Sequence, residues 1–159
     1  MSLVRRSIVS GLSLILQCTI AFIAGFGTYT FFALIDSDWG FDGMIGLLIS
    51  LMIGAVLTAL SILVCLLIGL PIRLHRTIRT FWLKNTWISI VIFMIGIFLQ
   101  VFSLLPSNRD LVVIDGELGP IEHSIPDPTF AITGWFMMLF GILHTYLPFL
   151  RILPDRNRA

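Results

Sequence analysis

Four stretches of the chain carry no Asp, Glu, Lys or Arg: Ser7 to Ile35, Gly43 to Ile72, Asn85 to Asn108 and Pro128 to Leu150. A charged side chain at the centre of a membrane helix costs roughly 2.5 to 3.5 kcal/mol, so long uncharged runs are the primary mark of spanning segments. At 1.5 Å per residue each run exceeds the ~30 Å of a bilayer's hydrocarbon. The pattern predicts an all-α integral membrane protein, a bundle of four transmembrane helices over about 8–35, 43–72, 86–105 and 128–150. The first run is too long for the h-region of a cleaved signal peptide and reads as a retained span.

End signals agree with these limits. Asp127 followed by Pro128 is an N-cap with proline at the first helical position, Asp42 suits the same role for the second helix, and Pro106 follows the end of the third. Between the second and third spans, Leu74, Ile78, Phe81 and Trp82 recur at helical spacing among Arg73, Arg76, Arg79 and Lys84. An interfacial segment over 73–85 follows, with those four cations against lipid headgroups. In the connection 106–127, Leu111 to Ile114 is a short β-type run ending at the turn dipeptide Asp115-Gly116, and Ile121 to Ile125 is its expected partner.

Composition fits this reading: 57% of residues are hydrophobic, only 12% are charged, and mean hydropathy is +1.01. Soluble domains carry about 25% charged residues. The distribution of charge sets orientation. Arg5, Arg6, Arg73, Arg76, Arg79, Lys84, Arg151, Arg156 and Arg158 fall on one side of a four-span arrangement, with Arg109 alone opposite. Eight carboxylates, Asp36, Asp38, Asp42, Asp110, Asp115, Glu117, Glu122 and Asp127, segregate to the Arg109 side, and Asp155 to the other. By the positive-inside rule both termini are cytoplasmic and the hairpin between the third and fourth helices is outside. A bacterial inner membrane suits so compact a chain.

Inside the spans the polar and small residues form stripes. Ser10, Ser13, Gln17, Ala21, Ala24 and Thr28 share one face of the first helix, while Gly46, Ser50, Gly54 and Thr58 step by four along the second. Gly96 in the third helix and Gly134 and Gly141 in the fourth supply further close-packing positions. Gln17 and His144 lie about 16 and 10 Å from the cytoplasmic boundary by helix rise, near enough for a polar contact. Gln100 is a third intramembrane polar candidate, in the outer half of its helix.

Candidate chemistry is sparse. Cys18 and Cys65 form no C-x-x-C pair, His144 is the one titratable candidate within the spans besides them, and no G-x-S-x-G or H-E-x-x-H motif occurs. Glu117, Glu122, His123 and Asp127 match no metal-ligand spacing. No cofactor and no metal site is expected, and a net charge of +1 without a basic arm argues against nucleic acid. The expected partners are membrane lipids and either another membrane protein or a second copy of the chain. The leading reading is a non-enzymatic accessory, assembly or immunity-type subunit. An oligomeric channel or facilitator for a small solute comes second, and a membrane enzyme acting on a lipid third.

Overall fold

The computed structural model describes residues 3–35, 41–116 and 119–145, with side chains over 11–35, 43–109, 111 and 125–145. Four helices carry the fold: α1 (Leu3–Ile35), α2 (Phe41–Ile68), and after two short helices α3 (Leu70–Leu74) and α4 (Arg76–Lys84), α5 (Trp87–Ser103) and α6 (Pro128–His144). Between α5 and α6 lies a hairpin of β1 (Arg109–Gly116) and β2 (Gly119–Pro126). Two helices are long and apolar enough to cross a membrane, α1 over Gly11–Ile35 and α2 over Gly43–Ile68. The pair α4 and α5, bent by 74° at their junction, makes a third when taken together, and α6 is apolar but shorter.

The second helix was expected to run to Ile72 and stops at Ile68. Pro71 explains the break: its ring collides with the carbonyl four residues back and it has no N–H to donate. The chain restarts as α3 with Gly69 at the N-cap and proline in its first turn. His75, in extended conformation, then separates α3 from α4.

Contacts along the helices fix their directions. Gly25 lies against Thr58, and Gly54 against Tyr29, so α1 and α2 are antiparallel. Gly96 abuts Gly134 and Met138 while Gly141 abuts Ser89 and Phe93, so α5 and α6 are antiparallel as well. Cys65 faces Phe136 and Gly69 faces His144, so α2 and α6 run together. The N-terminal part of α1, the α3–α4 segment and the C-terminus of α6 therefore share one end of the bundle. The α1–α2 turn and the hairpin share the other.

Helix α6 is the centre of this packing, touching α5, α1 and α2. Its Leu139 and Leu143 are fully buried, together with Ala21 of α1 and Cys65 of α2. Between α5 and α6 the backbones themselves meet: a Cβ at Gly96 would stand 2.5 Å from the Met138 nitrogen, and one at Gly141 would stand 2.8 Å from the Ser89 carbonyl oxygen. Glycine at positions 96, 134 and 141 permits the approach and the van der Waals contact that comes with it.

At the other end, Asn108 anchors the hairpin by donating from its amide to the Phe102 carbonyl, and Asp127 donates its backbone N–H back to the Asn108 carbonyl. The expected cap at Asp127 is present, its carboxylate accepting from Thr129 N and Phe130 N at 2.7 and 3.3 Å. The strands pair Ile114 with Ile121, but Asp115 and Gly116 belong to the ladder, opposite Pro120 and Gly119. The ladder thus continues through the dipeptide expected to form the turn, as far as the Gly116–Gly119 pair.

Candidate functional site

A helix ends with four carbonyl groups that lack an intrahelical partner. At the C-terminus of α6 those carbonyls gather side chains from α1, α3, α4 and α5. Arg73 of α3 donates to the Leu143 carbonyl at 2.8 Å. Trp82 of α4 and Ser89 of α5 both donate to the His144 carbonyl, at 3.0 and 2.8 Å. Gln17 of α1 donates its amide to the Thr145 carbonyl at 2.6 Å. A second row of bonds ties these donors together, Arg73 to the Gln17 side-chain oxygen at 3.1 Å and Trp82 to the Ser89 hydroxyl at 2.8 Å.

The electrostatics suit the geometry. The C-terminal end of a helix carries the negative pole of its dipole, where a guanidinium is stabilising. Gln17 is 6% exposed, Ser89 0% and His144 1%, so these three residues are withdrawn from water. The clasp also accounts for the sharp turn between α4 and α5: Trp82 and Ser89, one on each side of the bend, are held to the same oxygen.

The His144 ring makes a different set of contacts. Its Nδ1 bonds to the Phe140 carbonyl at 3.0 Å, the ring stacks on Phe140 with centroids 4.2 Å apart, and Nε2 is buried without a hydrogen-bond partner. That nitrogen lies directly over Gly69, where a Cβ would overlap it. Gly69 is therefore a clearance for the imidazole as well as the turn between α2 and α3.

Of the intramembrane candidates, Gln17 and His144 meet at this clasp through the α6 backbone, while their side chains bond to different partners. Gln100, 7% exposed, sits towards the other end against Gly134. Among the packing positions, Gly54, Thr58, Gly96, Gly134 and Gly141 are buried, and Ser50 bonds to the Tyr29 hydroxyl at 3.1 Å. Gly46 differs: no atom lies within 4 Å of where its Cβ would be. Of the four cations placed at headgroups, Arg76, Arg79 and Lys84 are exposed on α4, whereas Arg73 turns into the bundle. The side chains of Glu117, Glu122 and His123 lie outside the described residues, and no group of three metal-ligating side chains occurs among the described ones.

Sequence reasoning missed three participants. Trp82 and Ser89 carried a signal in hindsight, an indole N–H and a hydroxyl seven positions apart across a helix break. Arg73 carried a subtler one, being the first of the loop cations and next to the Pro71 break. The chain matches no protein-family model, no curated protein and no solved structure.

Proposed function

We propose that this chain is a four-span protein of the bacterial cytoplasmic membrane, N-in and C-in, acting as a non-enzymatic accessory or assembly subunit that packs beside another membrane protein. The two long helices supply two spans. Helices α5 and α6, each about 26 Å at the standard rise, complete the remaining two with their flanking residues. The alternation of helix directions supports this count, since it gathers Arg73, Arg76, Arg79 and Lys84 at one end and leaves Arg109 at the other. The cationic end is the cytoplasmic one.

One observation carries the functional reading. The polar side chains near the cytoplasmic end of the bundle are spent on holding helices together, Gln17, Arg73, Trp82 and Ser89 all converging on the last carbonyls of α6. What the bundle turns outward is apolar, including Leu12 and Ile23 of α1 and Leu48, Met52 and Val56 of α2. A bundle whose helices are tied together by their own polar side chains, with apolar flanks, is suited to lateral contact in the membrane rather than to moving protons or ions.

The test is photo-crosslinking in intact cells from positions 12 and 52, whose side chains are 67% and 74% exposed. A single discrete heteromeric adduct from one of these faces is expected. Crosslinking to lipid alone, with a monomer after mild solubilisation, would sink the accessory role. A homo-oligomer that conducts ions in liposomes would replace it with the channel reading.

A further inference from the structure

Near the opposite end from the clasp, a cavity of about 440 Å³ opens between α1, α2 and the base of the hairpin. Its lining includes Phe32, Leu47 and Leu104 together with Tyr29 and Ser50, whose hydroxyls bond to each other, and Arg109. The volume falls within the range of small-ligand sites. Arg109 Nε is buried and has no hydrogen-bond partner. That nitrogen is enclosed by protein and does not face the cavity, so it is the charge of the guanidinium, and not this nitrogen, that an anion in the cavity would meet. The Asp127 carboxylate, whose Oδ1 accepts from Thr129 N and Phe130 N, makes no hydrogen bond to that nitrogen.

We propose that this cavity binds the phosphodiester of an anionic phospholipid, with Arg109 as the charge partner and the glycerol and upper acyl segment against the apolar walls. Depth supports this. Arg109 stands just beyond the end of α5 at Ser103, at headgroup level, whereas Tyr29 lies about 9 Å inward from the end of α1 at Ile35 by helix rise. The site thus runs from the headgroup zone into the hydrocarbon, as a lipid does. Charge selects the same ligand: one guanidinium balances the single negative charge of a phosphodiester, and walls of Phe32, Leu47 and Leu104 offer a free phosphate dianion nothing. Mouth residues facing outward, such as Ile35 at 53% exposure, give lateral access from the bilayer. The inference rests on membrane residence and is independent of the accessory role.

The test is native mass spectrometry of the full-length chain in detergent, titrated separately with phosphatidylglycerol, phosphatidylcholine and inorganic phosphate. One phosphatidylglycerol per chain is expected to survive collisional delipidation, with phosphatidylcholine, whose choline cation offsets the phosphodiester charge, held less firmly and inorganic phosphate leaving none. Arg109→Gln should weaken phosphatidylglycerol retention about tenfold, the loss of one charge-assisted hydrogen-bonding partner. Gly46→Leu projects into the open space of the cavity, so it should abolish retention while the melting temperature holds, a control against unfolding. Equal retention by Arg109→Gln and wild type, or by Gly46→Leu and wild type, overturns the site. Tight binding of inorganic phosphate overturns the lipid as its occupant.

Discussion

Arg73 donates to the Gln17 side-chain oxygen across 3.1 Å, and the same guanidinium nitrogen reaches the Leu143 carbonyl at 2.8 Å. One cation thereby joins α3, α1 and α6. Hydrogen bonds to charged groups contribute about 1.5 to 3 kcal/mol each, so Arg73→Met should lower stability by about 2 kcal/mol. Because Gln17 shares both the cation and the α6 terminus, its loss is coupled to that of Arg73. A double-mutant cycle of Gln17→Leu with Arg73→Met, read by thermal unfolding in detergent, should give a coupling of at least about 0.5 kcal/mol. Strict additivity would mean that the two side chains act independently.

Gly69 and His144 form a second pair with a sharp consequence. A methyl group at position 69 overlaps the imidazole, whose Nε2 is its nearest neighbour. His144 is 1% exposed, so the ring has no free volume to retreat into, and overpacking of this kind costs about 1 to 3 kcal/mol. Gly69→Ala should be destabilising by that amount, and His144→Ala should rescue it in the double variant. Helix propensity alone predicts the opposite sign for Gly69→Ala, so the sign of the change in melting temperature decides between the two accounts.

How far the sequence foretold these features depended on whether the signal was local. The Asp127 cap, the amphipathic pattern of α4 and the small-residue positions Gly96, Gly134 and Gly141 depend on neighbours one helical turn away, and all were legible. Hydropathy alone extends α2 to Ile72, past its end at Ile68, because an apolar run continues across the break at Pro71 as readily as through a helix. The clasp was half visible. Depth places Gln17 near His144, but a side chain's reach for a carbonyl on another helix leaves no period in the sequence, and nothing local distinguishes Arg73 from the loop cations that anchor topology. The Arg109 cavity was not visible at all, since a void is a property of packing.

The helix glycines separate into those of α5 and α6, which touch backbone, and two of α1, Gly11 and Gly27, which do not. At Gly96 an added Cβ meets the Met138 nitrogen and the Gly134 oxygen, and neither can swing aside as a side chain does. Gly96→Ala should therefore force the helices apart and cost about 1 to 3 kcal/mol. Gly11→Ala and Gly27→Ala have nothing within 4 Å and should be neutral or slightly stabilising, alanine being the better helix former by up to about 1 kcal/mol. Ranking the three variants by unfolding temperature checks the α5–α6 interface; equal effects at positions 96 and 27 would disprove the close approach.

Sidedness gives the last prediction, and cation placement determines it. Arg76, Arg79 and Lys84 are exposed on α4, at the end of the bundle that also holds the terminus of α6, whereas Asp115 belongs to the hairpin at the other end. Moving the loop between α2 and α5 to the outside would require several Lys and Arg residues to be translocated, which the positive-inside preference opposes. In a background with Cys18→Ala and Cys65→Ala, a membrane-impermeant maleimide added to whole cells should label Asp115→Cys and spare Arg79→Cys until the membrane is permeabilised. The reverse pattern would invert the protein in the bilayer, moving the clasp to the outer leaflet and the Arg109 cavity to the inner one. Labelling of both positions from outside would place the two ends of the bundle on one side of the membrane and defeat the spanning arrangement altogether.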